Sequence, residues 1–453
     1  MSHDLIIIGG GTAGLGAARN AVAHGARPLL ITDGPIGGDC TFTGCVPSKT
    51  LIAQSRRGEL FGDAMSVVGE TIDVIAAEES TEVLRTEGVE VLEGRGTIVA
   101  PGTVEVDGRS YATKHVLIAT GARAAIPPIP GLQGVEFLTN ETLFELETLP
   151  PRLGIIGGGP IGCEMAMAFA GFGTAVTIFE GASRLLPDEE PEASAVIERA
   201  MAQAGVDVRT GLYVSGVCRA VGAIALAIED DVVEVDSLLL ATGRVANTAG
   251  FGLETLGVDL SSSGHIVVDD RLRTSVTGII AAGDVTGLLP FTHAADEQGR
   301  LAVSHALGKG PRWRYSTSAT PWVTFTSPEV ARVGVLESEA PRGAKVAYLP
   351  LTHVDRAITD GRTDGFVKLI AAPKKVTRSL FGGQIVGATI VADRAGEMIH
   401  GPTLAARLGM FVGRLAQVTT PYPTWSTAIQ QAAGQFFQPV SGLEARPARG
   451  RSN

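Results

Sequence analysis

Cysteine is scarce, with four in 453 residues. That is too few for the disulfide framework by which small secreted domains compensate for a thin core. No apolar run approaches the roughly 18 residues needed to cross a bilayer, so membrane insertion is not expected. The first residues, Met1-Ser2-His3-Asp4, pass straight into Leu5-Ile6-Ile7-Ile8. They lack the basic segment and long apolar stretch of a secretion signal, which predicts a cytoplasmic protein. Basic side chains are outnumbered, 37 Lys and Arg against 48 Asp and Glu, for a net charge of −11. Such a surface repels polyphosphate, and nucleic acid is not an expected partner, because that binding rests on clustered Lys and Arg. A Gly-X-Y period is missing too, although glycine itself is abundant at 58 of 453 residues, well above the usual roughly 7%. The excess must serve turns and close backbone approaches. With 45% apolar and 19% charged residues the chain can build packed cores, and its length suits about three domains of roughly 100–200 residues.

A repeat organises the chain. Leu5-Ile6-Ile7-Ile8 reads as a buried parallel strand. It runs into Gly9-Gly10-Gly11-Thr12-Ala13-Gly14, an Ala-rich helical stretch to about His24, and a second strand around Leu29-Leu30-Ile31. The pattern recurs as Leu153-Gly154-Ile155-Ile156, then Gly157-Gly158-Gly159-Pro160-Ile161-Gly162, a helix to about Gly173 and the strand Ala175 to Phe179. In each copy the first glycine (Gly9, Gly157) permits the tight turn and the second (Gly11, Gly159) lets the backbone approach a pyrophosphate. The third (Gly14, Gly162) allows helix and strand to pack closely, and the helix N-terminus supplies partial positive charge to the phosphates. One G-x-G-x-x-G in a glycine-rich chain is weak evidence; two, each between strand and helix, predict two Rossmann-like dinucleotide sites.

The second strand of such a unit should end in an acid that accepts from a ribose hydroxyl. Glu180, 23 positions after Gly157, meets that requirement. Arg184 alone lies nearby to hold a 2′-phosphate, which favours NADH over NADPH. In the first repeat the same offset lands on Thr32, with Asp33 next to it; either residue could make the contact. Each repeat also has a distal strand ending in a small residue and glycine. These are Val116-Leu117-Ile118-Ala119-Thr120-Gly121 and Leu238-Leu239-Leu240-Ala241-Thr242-Gly243-Arg244. A further strand ends in Ile279-Ile280-Ala281-Ala282-Gly283-Asp284, whose carboxylate suits a sugar-alcohol hydroxyl.

The segment Gly37-Gly38-Asp39-Cys40-Thr41-Phe42-Thr43-Gly44-Cys45-Val46-Pro47-Ser48-Lys49 carries two thiols five positions apart. They can approach disulfide distance if they bracket a first helical turn. A helix N-terminus would stabilise a thiolate, and Lys49, one turn beyond Cys45, adds a cation. Zinc needs about four ligands, and Cys163, Cys218 and the histidines do not form the second half of such a site. A redox-active pair is the better reading. Cys163 and Cys218 are expected to be small core residues.

These motifs resemble the class I pyridine nucleotide–disulfide oxidoreductases, from about Asp4 to Phe437. Within that family Cys45-Val46-Pro47-Ser48-Lys49, Gly159-Pro160-Ile161-Gly162-Cys163, Pro321-Trp322-Val323-Thr324-Phe325-Thr326 and Val354-Asp355-Arg356-Ala357 are most similar to the mercuric reductase branch. The resemblance implies an α/β fold with two Rossmann-like domains and an α+β dimerisation domain. It divides the chain into an FAD-binding part (1–146 and 249–318), an NAD-binding part (147–248) and a dimerisation domain (319–437); the tail (438–453), rich in Arg, Pro, Gly and Ser from Ser441 onward, is expected to be disordered. It implies FAD held by Gly9, Gly11, Ala13, Gly14, Asp33, Lys49, Thr120, Gly121, Asp284, Thr292 and Ala294. NAD would lie on Gly157, Gly159, Gly162, Glu180 and Gly243. Cys40 becomes the interchange thiol, Cys45 the charge-transfer thiolate against the flavin, and Lys49 the partner of Glu164. Electrons would pass from NADH through FAD to the Cys40–Cys45 couple of a homodimer and on to a small-molecule or metal acceptor.

One departure matters. Dithiol-using members carry His-Pro-Thr-x-Ser-Glu near the C-terminus, where the His is the acid/base and the Glu orients it. This chain has Tyr422-Pro423-Thr424-Trp425-Ser426-Thr427. A phenol of pKa near 10 is a poor base at pH 7, and general-base help is worth about 10²–10⁴ in rate. Mercuric reductases resemble this chain in having Tyr at that position, but they also use a C-terminal cysteine pair, and Gly434 to Asn453 contains none. The expected acceptor is therefore a quinone, a metal ion or an unusual disulfide. The competing expectations are a dithiol enzyme drawing its base from His293 or His400, and a non-catalytic flavin-binding subunit.

Overall fold

The computed structural model describes residues 3–310, 313–374, 376 and 379–450. The chain forms two compact units. One comprises the chain up to Pro128, Phe137–Leu149 and Leu239–Ser316. The other comprises Ile129–Glu136, Pro150–Leu238 and the chain from Thr317 onward.

The first unit is centred on a parallel sheet in the order Ile279–Ala281, Val116–Ile118, Leu5–Ile8, Pro28–Thr32, Glu90–Glu93. The central strand is apolar at every position because both faces are covered. The helix Thr12–Ala23 buries Ala13, Leu15, Ala17, Ala18 and Ala21, and these small residues admit the helix Thr292–Leu307. At Gly299 a Cβ would collide with the carbonyl of Ala13. A larger residue there would therefore force the two helices apart.

In the second unit, Asp207–Thr210, Ala175–Glu180 and Arg152–Ile156 lie side by side as parallel strands. An antiparallel sheet follows in the order Trp322–Thr324, Glu329–Gly334, Gln384–Ala392, Phe366–Ala372, Lys345–Pro350, Arg446–Pro447. Every residue of Phe366–Ala372 is buried, including Lys368. Its ammonium is held by Glu192 at 2.9 Å, Glu337 at 3.0 Å and Glu190 at 3.1 Å. Nearby, Glu189 pairs with Arg332 at 2.9 Å and accepts from the Trp322 indole at 2.6 Å, while Arg332 lies over the Trp322 ring. These buried ion pairs join the segment Pro150–Leu238 to the C-terminal sheet, which is why residues 147–248 and 319–437 fall mostly into one compact unit.

Two expectations are corrected. The segment 438–453 is not structureless over its described part. Val440 and Leu443 form a bridge, Arg446–Pro447 pairs with Lys345 and Val346, and Arg446 holds the Glu337 carboxylate at 2.9 Å. An arginine that meets a buried carboxylate supplies order that composition does not reveal. Residues 451–453 lie outside the described residues. Cys163 is fully buried, but Cys218 is exposed: it lies in Gly216–Ala220, the edge strand of a small antiparallel sheet, where only Val217 is buried. Among the described residues no helix is long and apolar enough to cross a membrane.

Burial alone would raise the Glu337 pKa. The Arg446 guanidinium, the Arg449 amide and the Lys368 ammonium overcome it and bring the pKa from 4.5 to about 2. The stability from this group is therefore complete above about pH 4.5 and lost as pH falls toward 2. Glu337→Gln should flatten the acid limb of a urea-unfolding stability profile across that window. Lys368→Met, which leaves three carboxylates without their shared cation, should cost about 3–5 kcal/mol by the same measurement.

Candidate functional site

The two glycine turns are built alike. Gly9 and Gly157 both have φ of +114°, a region that side chains other than hydrogen rarely tolerate. A Cβ at Gly14 would collide with the Gly9 carbonyl, and one at Gly162 with the Gly157 carbonyl, so both are needed for helix–strand packing. The middle glycines differ. At Gly11 and Gly159 a Cβ would meet nothing within 4 Å among the described residues. Protein packing does not demand glycine at these two positions. Each leaves a cradle at a helix N-terminus that a side chain would fill and that suits a pyrophosphate.

At the end of Ala175–Glu180, the Glu180 carboxylate accepts from the backbone N–H of Gly158 and of Ala182, each at 2.6 Å. Its remaining lone pairs are free to take ribose hydroxyls. The equivalent residue of the first repeat is Thr32, at the end of its strand. Its hydroxyl donates to the Gly34 carbonyl at 2.9 Å, and it lies so close to Gly10 that a Cβ there would be 2.8 Å from Oγ1. Asp33 is exposed one residue further on.

The thiols sit where two short segments meet. Cys40 lies in the helical turn Gly38–Phe42, and Cys45 opens the helix Cys45–Arg57. The hydroxyl of Thr292, first residue of the helix Thr292–Leu307, lies 3.2 Å from each sulfur. The hydrogen bond with Cys45, burial and the charge of Cys45 push the Cys40 thiol pKa far up, against smaller opposing effects of Thr292 and Thr12. The hydrogen bond with Cys45 and burial thus both favour the protonated form of Cys40.

Sequence reading missed Arg244, which occurs within a quoted glycine motif but received no role. Its guanidinium pairs with Asp39, the residue before Cys40, and its Nε lies 3.5 Å from Asp284. That Nε is buried with no hydrogen-bond acceptor among the described residues. Burial raises the Asp284 pKa, Arg244 lowers it and Asp39 raises it, for a net rise. A buried guanidinium nitrogen without an acceptor and a desolvated carboxyl are both suited to a polar ligand. With the Gly11 cradle, they fit an FAD sugar-phosphate.

The remaining expected residues are placed as follows. Thr120 exchanges hydrogen bonds with Asn247, its hydroxyl donating at 2.7 Å. Gly121 and Gly243 have φ of +67° and +112°, and Ala294 is buried. Lys49 donates to Ser48 at 3.3 Å, and the Glu164 carboxylate accepts from the Phe325 N–H at 2.8 Å; the two lie in different compact units. His293 stacks on Phe291, and His400 is an exposed residue opening the helix His400–Arg407. Tyr422 is exposed, and its hydroxyl donates to Asp355 at 2.8 Å. The Asp355 carboxylate raises the phenol's pKa further, so Tyr422 is a poorer base here than in water. Asp355 was visible in sequence only as part of a family-like motif.

Because Cys45 is the largest cause of the high Cys40 pKa, Cys45→Ala should bring the Cys40 titration down toward an ordinary thiol value. The pH dependence of iodoacetamide alkylation of the reduced protein measures this; an unchanged profile would remove the shared-proton account.

The chain matches the pyridine nucleotide-disulphide oxidoreductase family over residues 3–299 and that family's dimerisation domain over residues 320–433. It is 35% identical to a mercuric reductase of Bacillus cereus, across 97% of this chain and 72% of that protein. It is 32% identical to a dihydrolipoyl dehydrogenase of Chlamydia pneumoniae, across 95% and 96% of the two chains. Among solved structures, the Cu(II) complex of the HOCl-induced flavoprotein disulfide reductase RclA from Escherichia coli aligns with a TM-score of 0.87 at 28% identity. That alignment covers 96% of this chain and 99% of the other. The chain thus belongs to the pyridine nucleotide–disulfide oxidoreductase family, whose members are FAD-dependent, NAD(P)H-using enzymes with a dimerisation domain.

Proposed function

We propose that the protein is an NADH-dependent flavoenzyme that delivers electron pairs through Cys40 and Cys45 to a thiophilic metal ion. The observation that carries this reading is the sulfur pair at the start of a thirteen-residue helix, bridged by the Thr292 hydroxyl. FAD would be held by the Gly9–Gly14 turn, Asp33, Lys49, Thr120, Gly121, Asp284, Thr292 and Ala294, with Arg244 beside them. Bound there, it supplies two-electron exchange with a nicotinamide.

The protein's own part is protonic and electrostatic. Two-electron reduction breaks the Cys40–Cys45 bond and leaves two sulfurs with one proton between them. Cys40 keeps the proton. Cys45 carries the negative charge, stabilised by the helix N-terminus and by the Thr292 hydroxyl. A soft cation then binds both sulfurs and displaces the proton from Cys40; as the electron pair passes to the metal and it leaves reduced, the Cys40–Cys45 bond re-forms. This route needs no imidazole. Dithiol–disulfide exchange does, and the group at the corresponding position is Tyr422, held protonated by Asp355. Several relatives are mercuric reductases, and the similar RclA has been solved as a Cu(II) complex, which supports the same reading. The dimerisation segment brings a second copy into the functional unit, with Tyr422 acting as a hydrogen-bond donor.

NADH is favoured over NADPH because a 2′-phosphate would face the Glu180 carboxylate. The cation within reach, Arg184, is committed to the carbonyls of Pro187 and of Glu189, the latter at 3.0 Å.

A steady-state panel tests the proposal, with Hg(II), Cu(II), a naphthoquinone, lipoamide and glutathione disulfide as acceptors and NADH or NADPH as donor. Metal reduction should exceed lipoamide and glutathione turnover by roughly 10² or more, the scale of missing base catalysis. Cys40→Ser should abolish metal reduction and spare direct quinone reduction. Rapid lipoamide turnover would show that Tyr422 does not limit the chemistry. A wild-type protein that yields no long-wavelength thiolate–flavin absorbance on anaerobic NADH titration would rule out the sulfur pair's role.

A further inference from the structure

The second repeat carries an aromatic side chain that the proposed chemistry does not use. Tyr213 lies just past the strand Asp207–Thr210 and is 76% exposed. Its segment is nonetheless pinned by backbone hydrogen bonds. Gly211 N–H donates to the Ala182 carbonyl at 2.7 Å, and Leu212 N–H to the Glu180 carbonyl at 3.2 Å. These bonds lay residues 211–213 along residues 180–182 and set the phenol ring against Gly181. A Cβ on Gly181 would come within 2.6 Å of the ring's Cζ. One side of the ring rests on bare backbone, and the rest meets solvent.

We infer that Tyr213 is the stacking platform for the adenine of the nicotinamide dinucleotide. Glu180 lies at the carboxyl end of its strand, where ligands of open parallel sheets bind. If that carboxylate takes the adenine ribose, the base, attached to the same sugar, must lie beside it. The ring pinned next to Glu180 is Tyr213. Every base offers a π-face, and base–aromatic stacking needs no matched hydrogen bonds. Gly181 then has a defined purpose: its missing side chain lets the ring come close to the backbone. The first repeat lacks the arrangement. Asp33 stands where Gly181 does, and the residues after Glu90–Glu93 are Gly94-Arg95-Gly96. The platform therefore distinguishes the exchangeable dinucleotide site from the FAD site.

This inference rests on reading the second repeat as the nicotinamide dinucleotide site, and the experiment separates the two. Isothermal titration of the FAD-loaded protein uses ADP-ribose, which carries the adenine half, and nicotinamide mononucleotide, which does not. Tyr213→Ala should weaken ADP-ribose binding by roughly 5- to 100-fold, the range of one lost base stack. Nicotinamide mononucleotide binding should be unchanged, and Tyr213→Phe should retain wild-type affinity for ADP-ribose. Wild-type ADP-ribose affinity in Tyr213→Ala would overturn the inference. So would equal weakening of both ligands, which marks a general structural role, or a Tyr213→Phe as weak as the alanine variant, which marks a hydroxyl contact. A wild-type protein that binds neither ADP-ribose nor NADH would overturn the reading of the second repeat itself.

Discussion

The close approach of a dinucleotide to bare backbone is the constraint on which the rest depends. Gly11 and Gly159 have room for a Cβ as far as the protein is concerned, yet each stands at the start of a helix behind a turn that only glycine makes comfortably. The flanking glycines answer to steric demands of the chain, since Gly14 and Gly162 would otherwise strike the carbonyls of Gly9 and Gly157. The middle glycine meets no such demand among the described residues, which suits a turn that receives a ligand. That difference separates a ligand-binding turn from an ordinary tight one, and it occurs twice with the same φ at the leading glycine.

An acidic protein that binds anionic cofactors must neutralise phosphate without a basic patch. Backbone N–H groups and helix N-termini do this at fixed positions, within the first turn and independently of the net charge of −11. Carboxylates can then be placed where hydroxyls need acceptors, at Glu180 and Asp284. Arg244 is tied to acids on both sides, Asp39 and Asp284. It thereby links the segment carrying Cys40 to the carboxyl group expected at the flavin's sugar chain. The same economy of charge appears in the second unit, where Lys368 is buried among three glutamates and Arg332 sits between Glu189 and Trp322.

The features legible in sequence are those set by local sterics. The Gly9 and Gly157 turns, the strands before them and the helices after them could all be read from residue type and spacing. Contacts spanning hundreds of residues could not. Thr292 reaches sulfurs 247 and 252 positions away, and Arg244 reaches Asp39 across 205. No periodicity announces that Lys368, inside an otherwise apolar strand, will meet Glu190. For the same reason 438–453 looked structureless, although Arg446 is drawn to Glu337, 109 positions earlier. Cys218 is exposed because its strand lies at a sheet edge, a position that residue type does not announce. The Thr32 and Asp33 ambiguity was a real feature of the chain: the strand ends at Thr32, whose hydroxyl turns back onto Gly34.

The exchange of His and Glu for Tyr422 and Thr427 changes where a proton can wait. In a dithiol enzyme with an imidazole, the proton of the interchange thiol moves onto the ring and the sulfur is freed to attack. Here the phenol is held by Asp355 and resists deprotonation, so it can donate a hydrogen bond but cannot collect a proton at neutral pH. The proton must then stay on sulfur, and the high Cys40 pKa keeps it there. A site of this kind is slow toward an acceptor that must be attacked by a free thiolate. It is suited to one that replaces the proton by binding, because a soft cation competes for the sulfur directly and releases the proton to water as it does so. On this reading the loss of the base does not impair a disulfide reductase. Under the proposed metal-reducing role it would favour acceptors that carry their own positive charge.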